Sequence, residues 1–311
     1  VDKTLSGDHE DAGPIKRDFE TISVQEFFTD SSLNLNLELV EGKEGLQNEI
    51  SSPKIQKLGL ALAGVTGFIH PDRVQVVGGS ELTYLSGLES EERAAAFDRL
   101  KKHKICCVVV AKGLEIPPEL LDLSKAAKVS VLRSSEIGSA TLAKMASYLE
   151  KRLAPRMTIH GVLLQIFSLG VLILGPSGIG KSECALELIL KGHRLITDDY
   201  VELTKRGIDR ITGAGGPTLN HHMELRGLGI INIKELFGIS ATGAPQNVDF
   251  AVRLERWNPE AEYDRLGLDQ SFIDYMGVSI PVIDMPVAPG RNIATLVEVA
   301  ARLHLLRRKR E

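Results

Sequence analysis

The sequence predicts an α/β protein of two domains, the second organised round a phosphate-binding loop. Three observations predict it. Apolar, strand-like runs alternate with helix-forming segments along the chain. A glycine-rich signature, GPSGIGKS at 175–182, stands between such a strand and such a helix. Every segment with a chemical signature lies after Pro155. A chain of 311 residues with 43% hydrophobic content is long enough for two cores.

In the first half, RVQVV (73–77), ICCVVVA (105–111) and KVSVL (128–132) read as strands. Between them, 89–103 is rich in helix formers with a charged face, and 117–127 opens with proline, a common first helical residue. This alternation predicts a parallel layer. Residues 139–155 read as one amphipathic helix stopped by Pro155, and the domain boundary is expected in or near it. The expected division is an N-terminal α/β domain over 18–136, a linker helix over 137–155 and a catalytic domain over 156–311.

In the second half, GVLLQIF (161–167) and GVLILG (170–175) read as strands with a turn at Ser168–Gly170. Residues 181–192 form a helix closed by Gly192, and HRLITDD (193–199) is the next strand. Strands over 247–257 and 278–287 and a terminal amphipathic helix over 292–309 complete the pattern.

Composition narrows the function. The net charge is -4 and the pI about 6.1, so no bulk charge calls for nucleic acid. The basic end RRKRE reads as a solvated helix terminus. The longest apolar stretch, 161–175, is interrupted by Gln165, Ser168 and Gly170 and falls short of the roughly 20 residues of a membrane helix. The polar N-terminus has no secretory h-region. Three cysteines, Cys106, Cys107 and Cys184, form no disulfide framework and no C-x-x-C, which predicts a cytoplasmic location.

Gly175, Pro176, Ser177, Gly178, Ile179, Gly180, Lys181 and Ser182 satisfy G-x-x-x-x-G-K-[ST] in full. Glycines let successive backbone N–H groups curl round an oxyanion, and the helix N-terminus adds partial positive charge. Lys181 is placed to reach β and γ phosphates and Ser182 to ligate Mg²⁺. A dinucleotide fingerprint fails, because Glu183 stands where Gly or Ala is needed. The loop predicts a phosphate site but no particular reaction.

Asp198 and Asp199 end the strand that follows the loop's helix. In a βαβ unit that strand's C-terminal end lies on the phosphate-loop edge of the sheet. Two carboxylates there would repel a polyanion unless one assists Mg²⁺ and the other takes a proton from an attacking hydroxyl. A lone Asp-Asp pair is more often a turn signal; behind a complete phosphate loop the functional reading is favoured. His160, taken alone, fits a structural histidine, and His221 and His222 read as loop residues without metal-ligand spacing. Glu224 and Arg226 precede two glycines, a pairing that suits a metal and an anion or, equally, a surface ion pair on a strand edge. Arg291 sits in the Pro/Gly loop PVAPGRN at 286–292.

As a set, the continuous run from IHGVLL through GPSGIGKS to ITDDYVEL, followed by ELRGLGIINI, YDRLG and PVAPGRN, resembles the bacterial HPr kinase/phosphorylase family. SSPKIQKLGLALAG in the first half is similar to that family's N-terminal domain. The resemblance implies an N-terminal α/β domain followed by a P-loop kinase-like C-terminal α/β domain. It implies a bifunctional enzyme that phosphorylates a serine of HPr, the carrier protein of the sugar phosphotransferase system, from ATP or pyrophosphate. The same enzyme removes that phosphate with inorganic phosphate. Homohexamers are typical of the family. By position, Asp199 matches the base that becomes the acid in reverse. His160, Lys181 and Arg265 match other active-site residues, and Ser182 and Glu224 match magnesium positions, with Asp198 assisting. The 223–232 stretch would serve both reactions and 286–291 mainly the reverse. Gln165, Ser168, Tyr200 and Ala288 depart from the family pattern, and Ala288 bears on phosphorolysis or on the grip on HPr. The competing readings are a P-loop kinase of a small molecule and a nucleotide-dependent switch without phosphoryl transfer.

Overall fold

The computed structural model describes residues 16–18, 21–136, 138–216, 221–258, 260 and 271–308. The chain forms two compact units. One spans 19–154; the other runs from 155 onward and takes in the strand Lys16–Asp18, which pairs antiparallel with Arg156–His160.

The N-terminal unit holds a five-stranded sheet in the order Leu37–Glu41, Ser130–Ser134, Cys107–Val110, Gln75–Val77, Gln56–Lys57. The last four are parallel and the first is antiparallel. Successive strand residues feed opposite faces, as period-two geometry requires. Cys107, Val109 and Leu132 join one apolar cluster, while Val108, Val110 and Val131 join another. Layers on both sides explain why ICCVVVA is apolar throughout. The helices Ser90–Lys101 and Pro118–Ala127 cover one face through Phe97, Leu100, Leu120 and Leu123. The helix expected to join the halves runs Gly138–Arg152, and its Met145, Tyr148 and Leu149 pack into the cluster on the other face.

The C-terminal unit is built on a ten-stranded mixed sheet. At its centre Leu169–Leu174 lies parallel to Gln246–Arg256, which lies parallel to Val278–Val287. On the other side Val162–Ile166 runs antiparallel to both Leu169–Leu174 and Arg194–Thr197. The strand after the phosphate-loop helix is therefore parallel to the strand before it, with one antiparallel strand between. The inferred common edge holds. The hairpin turn falls at Phe167–Ser168, one residue earlier than read, with Phe167 at φ 56. Gly170 is already in the strand, where a Cβ would stand 1.9 Å from the Asn247 carbonyl oxygen. Only glycine permits that approach.

The helix Lys181–Leu190 buries Cys184, Ala185, Leu188 and Ile189 against Val297, Ala300 and Ala301 of the terminal helix Ile293–Arg308. It ends as read, at Gly192 in the left-handed region, where the His193 N–H donates to the Leu188 carbonyl at 3.1 Å. Among the described residues no helix is long and apolar enough to cross a membrane. His222 departs from its loop reading. It opens the strand His222–Leu225, paired with Gly229–Asn232 in a separate hairpin.

Candidate active site

The site assembles where the central parallel strands end. Leu174 leads into a loop whose Gly175, Gly178 and Gly180 have φ of 141, 77 and 104. A Cβ on Gly175 would meet the Leu254 carbonyl oxygen at 2.6 Å, so the neighbouring strand backs the loop directly. Lys181 folds across it, its Nζ donating to the Gly175 and Pro176 carbonyls at 2.8 and 3.2 Å. Burial lowers the Lys181 pKa, while Asp199, Asp198 and Glu183 pull it the other way.

Asp198 and Asp199 diverge. The Ser182 hydroxyl donates to the Asp198 carboxylate, 3.0 and 3.1 Å from its two oxygens. The Glu224 backbone N–H approaches Asp198 Oδ2 at 3.3 Å. Burial pushes the Asp198 carboxyl up to about 6; the hydrogen bonds from Ser182 and Glu224 oppose that, and the Asp199 charge adds to it. Asp199 adopts φ 68, a left-handed conformation that aspartate tolerates better than most side chains. The Tyr200 N–H donates to the Asp198 carbonyl at 2.9 Å, and the Asp199 carbonyl accepts from the Gly161 N–H at 3.0 Å. This tight turn separates the two carboxylates. Asp199 remains 63% exposed with Oδ1 3.4 Å from His160 Nδ1.

His160 ends the strand Arg156–His160, in register with Tyr200, whose ring lies 4.5 Å from the imidazole between centroids. The imidazole therefore has a specific place beside Asp199. Arg226, in the turn of the Glu224 hairpin, lies over the loop: a Cβ on Gly178 would come within 2.5 Å of its Nη2. The structure thus gathers Lys181, Ser182, Asp198, Asp199, His160, Arg226 and the Glu224 backbone. The Glu224 residue is exposed and touches Asp198 through its main chain. Arg265 lies outside the described residues. Arg291 sits 5.2 Å over the Trp257 ring, and the Trp257 N–H donates to the Val287 carbonyl at 3.2 Å, anchoring the 286–291 loop to the strand beside it. Sequence reading missed Thr197, which is buried and donates from Oγ1 to the Tyr200 carbonyl at 3.0 Å, bracing the aspartate turn.

No group of three or more His, Cys, Asp or Glu among the described residues forms a closed metal cage. The hard oxygens of Ser182 and Asp198, side by side at the loop, fit a different pattern. Mg²⁺ commonly takes one or two protein oxygens and completes its shell with water and substrate phosphates. A buried carboxylate whose proton affinity is already raised also gains from a cation.

Residues 22–149 match the family described as "HPr Serine kinase N terminus", and residues 151–310 match "HPr Serine kinase C-terminal domain". The chain is 42% identical over 287 residues to the HPr kinase/phosphorylase of Geobacter sulfurreducens, covering 92% of this chain and 90% of that protein. It is 40% identical over 275 residues to HPr kinase/phosphorylase 1 of Oceanobacillus iheyensis, covering 88% and 89%. A Listeria monocytogenes HPr kinase/phosphorylase is 42% identical over 267 residues, 86% of each chain. With both halves matched and the phosphate loop intact, the chain belongs to the HPr kinase/phosphorylase family.

Proposed function

We propose that the chain phosphorylates a serine of HPr with ATP or pyrophosphate as donor, and that the same site removes the phosphate with inorganic phosphate. The observation that carries the residue assignment is the divergence of the two carboxylates at the loop. Asp198 is tied to Ser182, while Asp199 is exposed beside His160.

In the forward direction the serine hydroxyl gives its proton to Asp199 as its oxygen bonds to the γ phosphorus. The bridging P–O bond breaks, and ADP, or phosphate when pyrophosphate is the donor, departs. In reverse an oxygen of inorganic phosphate bonds to the phosphoserine phosphorus. The serine oxygen leaves with the proton from Asp199, giving pyrophosphate. His160 orients Asp199 and holds its charge. The loop amides and Lys181 bind the donor phosphates, and Arg226 is placed to approach them. Arg265 is assigned by resemblance to stabilise the transferring charge. Ser182 and Asp198 would hold Mg²⁺, with the Glu224 carboxylate as a further candidate ligand; the ion would neutralise charge on the phosphates.

All these groups belong to the expected catalytic domain, 156–311; the helix expected as a linker over 137–155 packs instead with the N-terminal unit, 19–154, and Asp18 goes with the C-terminal unit. The working form is proposed to be a cytoplasmic homohexamer; light scattering that finds only monomer in the active protein contradicts that assembly. Incubation with HPr and labelled ATP tests the function. Serine-linked label on HPr, released as pyrophosphate on adding phosphate, is the expected result. No transfer to HPr overturns it.

A further inference from the structure

The N-terminal unit carries none of the residues above, yet it contains a cavity of about 660 Å³. That lies within the range of small-molecule sites, about 300–1,000 Å³. One wall is the segment 53–57; another is Arg73; the third is a face of the helix Gly138–Arg152. This helix uses its two faces differently. Met145, Tyr148 and Leu149 enter the core, whereas Ala143 and Ala146 face the cavity, where their small side chains leave the space open.

The charges in the cavity are unbalanced. Lys54, Lys57 and Arg73 line it against one carboxylate, Glu150. Among the described residues none of these three cations has an ion-pair partner. Two arginines of the unit are paired with carboxylates: Arg93 Nε donates to Glu119 at 2.9 Å and Arg133 Nη2 to Glu38 at 2.7 Å. Arg73, like Arg99 and Arg152 of the same unit, has a buried Nε with no hydrogen-bond partner; of the three, Arg73 is the one that lines the cavity. A buried donor left unsatisfied is costly, and at Arg73 an acceptor bound in the cavity would offset that cost. Its backbone, by contrast, is firmly held. The N–H donates to the His70 carbonyl at 3.2 Å, and the carbonyl accepts from Gln75 Nε2 at 2.9 Å and Cys106 Sγ at 3.1 Å. Arg73 thus lines the cavity from a backbone held in place.

We propose that this cavity binds a small organic phosphate, with the phosphate at Arg73, Lys54 and Lys57 and the uncharged body against Ile55, Ala143 and Ala146. Three cations against one anion match a phosphate monoester better than a single carboxylate, and a guanidinium fork suits phosphate oxygens.

The test uses AMP, which combines one phosphate with an uncharged body, and titration calorimetry on the full chain. Lys181→Ala serves as the background, so that the phosphate loop contributes least. One AMP per chain is expected, with adenosine and inorganic phosphate each at least tenfold weaker. Arg73→Gln should weaken AMP by about tenfold or more, the scale of a lost charge-assisted hydrogen bond. Ala146→Phe fills the space without altering charge and should abolish binding. If Arg73→Gln fails to fold, the exposed pair Lys54→Gln/Lys57→Gln takes its place. No AMP binding, binding that survives both Arg73→Gln and Ala146→Phe, or adenosine binding as well as AMP would each overturn the proposal.

Discussion

Replacing Asp198 with Asn should stabilise the metal-free protein while disabling it. Burial raises this carboxyl from an ordinary 3.8 to about 6. At about 1.4 kcal/mol per decade, the charged form costs the folded state at most about 3 kcal/mol at neutral pH. Partial exposure and solvent screening reduce this to about 1–2 kcal/mol. Asparagine keeps an oxygen that accepts from Ser182 and removes the charge. The sign follows from the direction of the shift. Between 3.8 and about 6 the folded state holds a proton that the unfolded state has lost. Wild-type stability from this group is therefore full below the lower value and lost as pH rises through the upper one. Calorimetry in chelator should find the two proteins alike near pH 4. Near pH 7.5 the variant's C-terminal unit should melt about 3–6 °C higher. Mg²⁺ with ADP should then raise the wild type's melting temperature more than the variant's. A gap that does not grow between pH 4 and 7.5, or a variant that melts lower at pH 7.5, would refute the reasoning.

Three further outcomes are expected. Glu224→Ala leaves the backbone N–H to Asp198 in place, so the fold should persist while the Mg²⁺ needed for half-maximal activity rises several-fold; an unchanged requirement would confine Glu224 to its main-chain role. Burial pushes the Cys184 thiol up to about 12, so native protein at pH 8 should not be alkylated there by iodoacetamide; alkylation before unfolding would contradict its burial. Arg291→Ala should slow phosphorolysis far more than phosphorylation; equal losses would remove the direction-specific role of the 286–291 loop.

How much of this was legible in the sequence depends on where the information lies. The phosphate loop and long buried strands are local signals: consecutive glycines, an apolar run, a helix with its small and apolar residues in step. Val278–Val287 was read to the residue. Tyr200–Arg206 and Arg210–Ala214 were not, because Val201, Leu203 and Ile211 give too few apolar positions to establish a period of two. Sheet neighbours hold those strands in place. Nearness of both aspartates to the loop was inferable from strand direction. Their divergence was not, because it rests on the left-handed Asp199 and on a carbonyl held by Gly161. The Arg226 contact with Gly178 joins residues far apart in sequence, and no spacing reveals it.

The central claim is that one carboxylate serves both directions, and Asp199→Asn tests it most directly. The change keeps the side chain's shape and removes both base and acid. Initial rates are measured with ATP and HPr, and with inorganic phosphate and serine-phosphorylated HPr, after nucleotide binding is shown to be retained. General acid–base help is commonly worth about 10²–10⁴ in rate, and both rates should fall by a factor on that scale. Loss of only one direction, or of neither, would contradict the shared carboxylate.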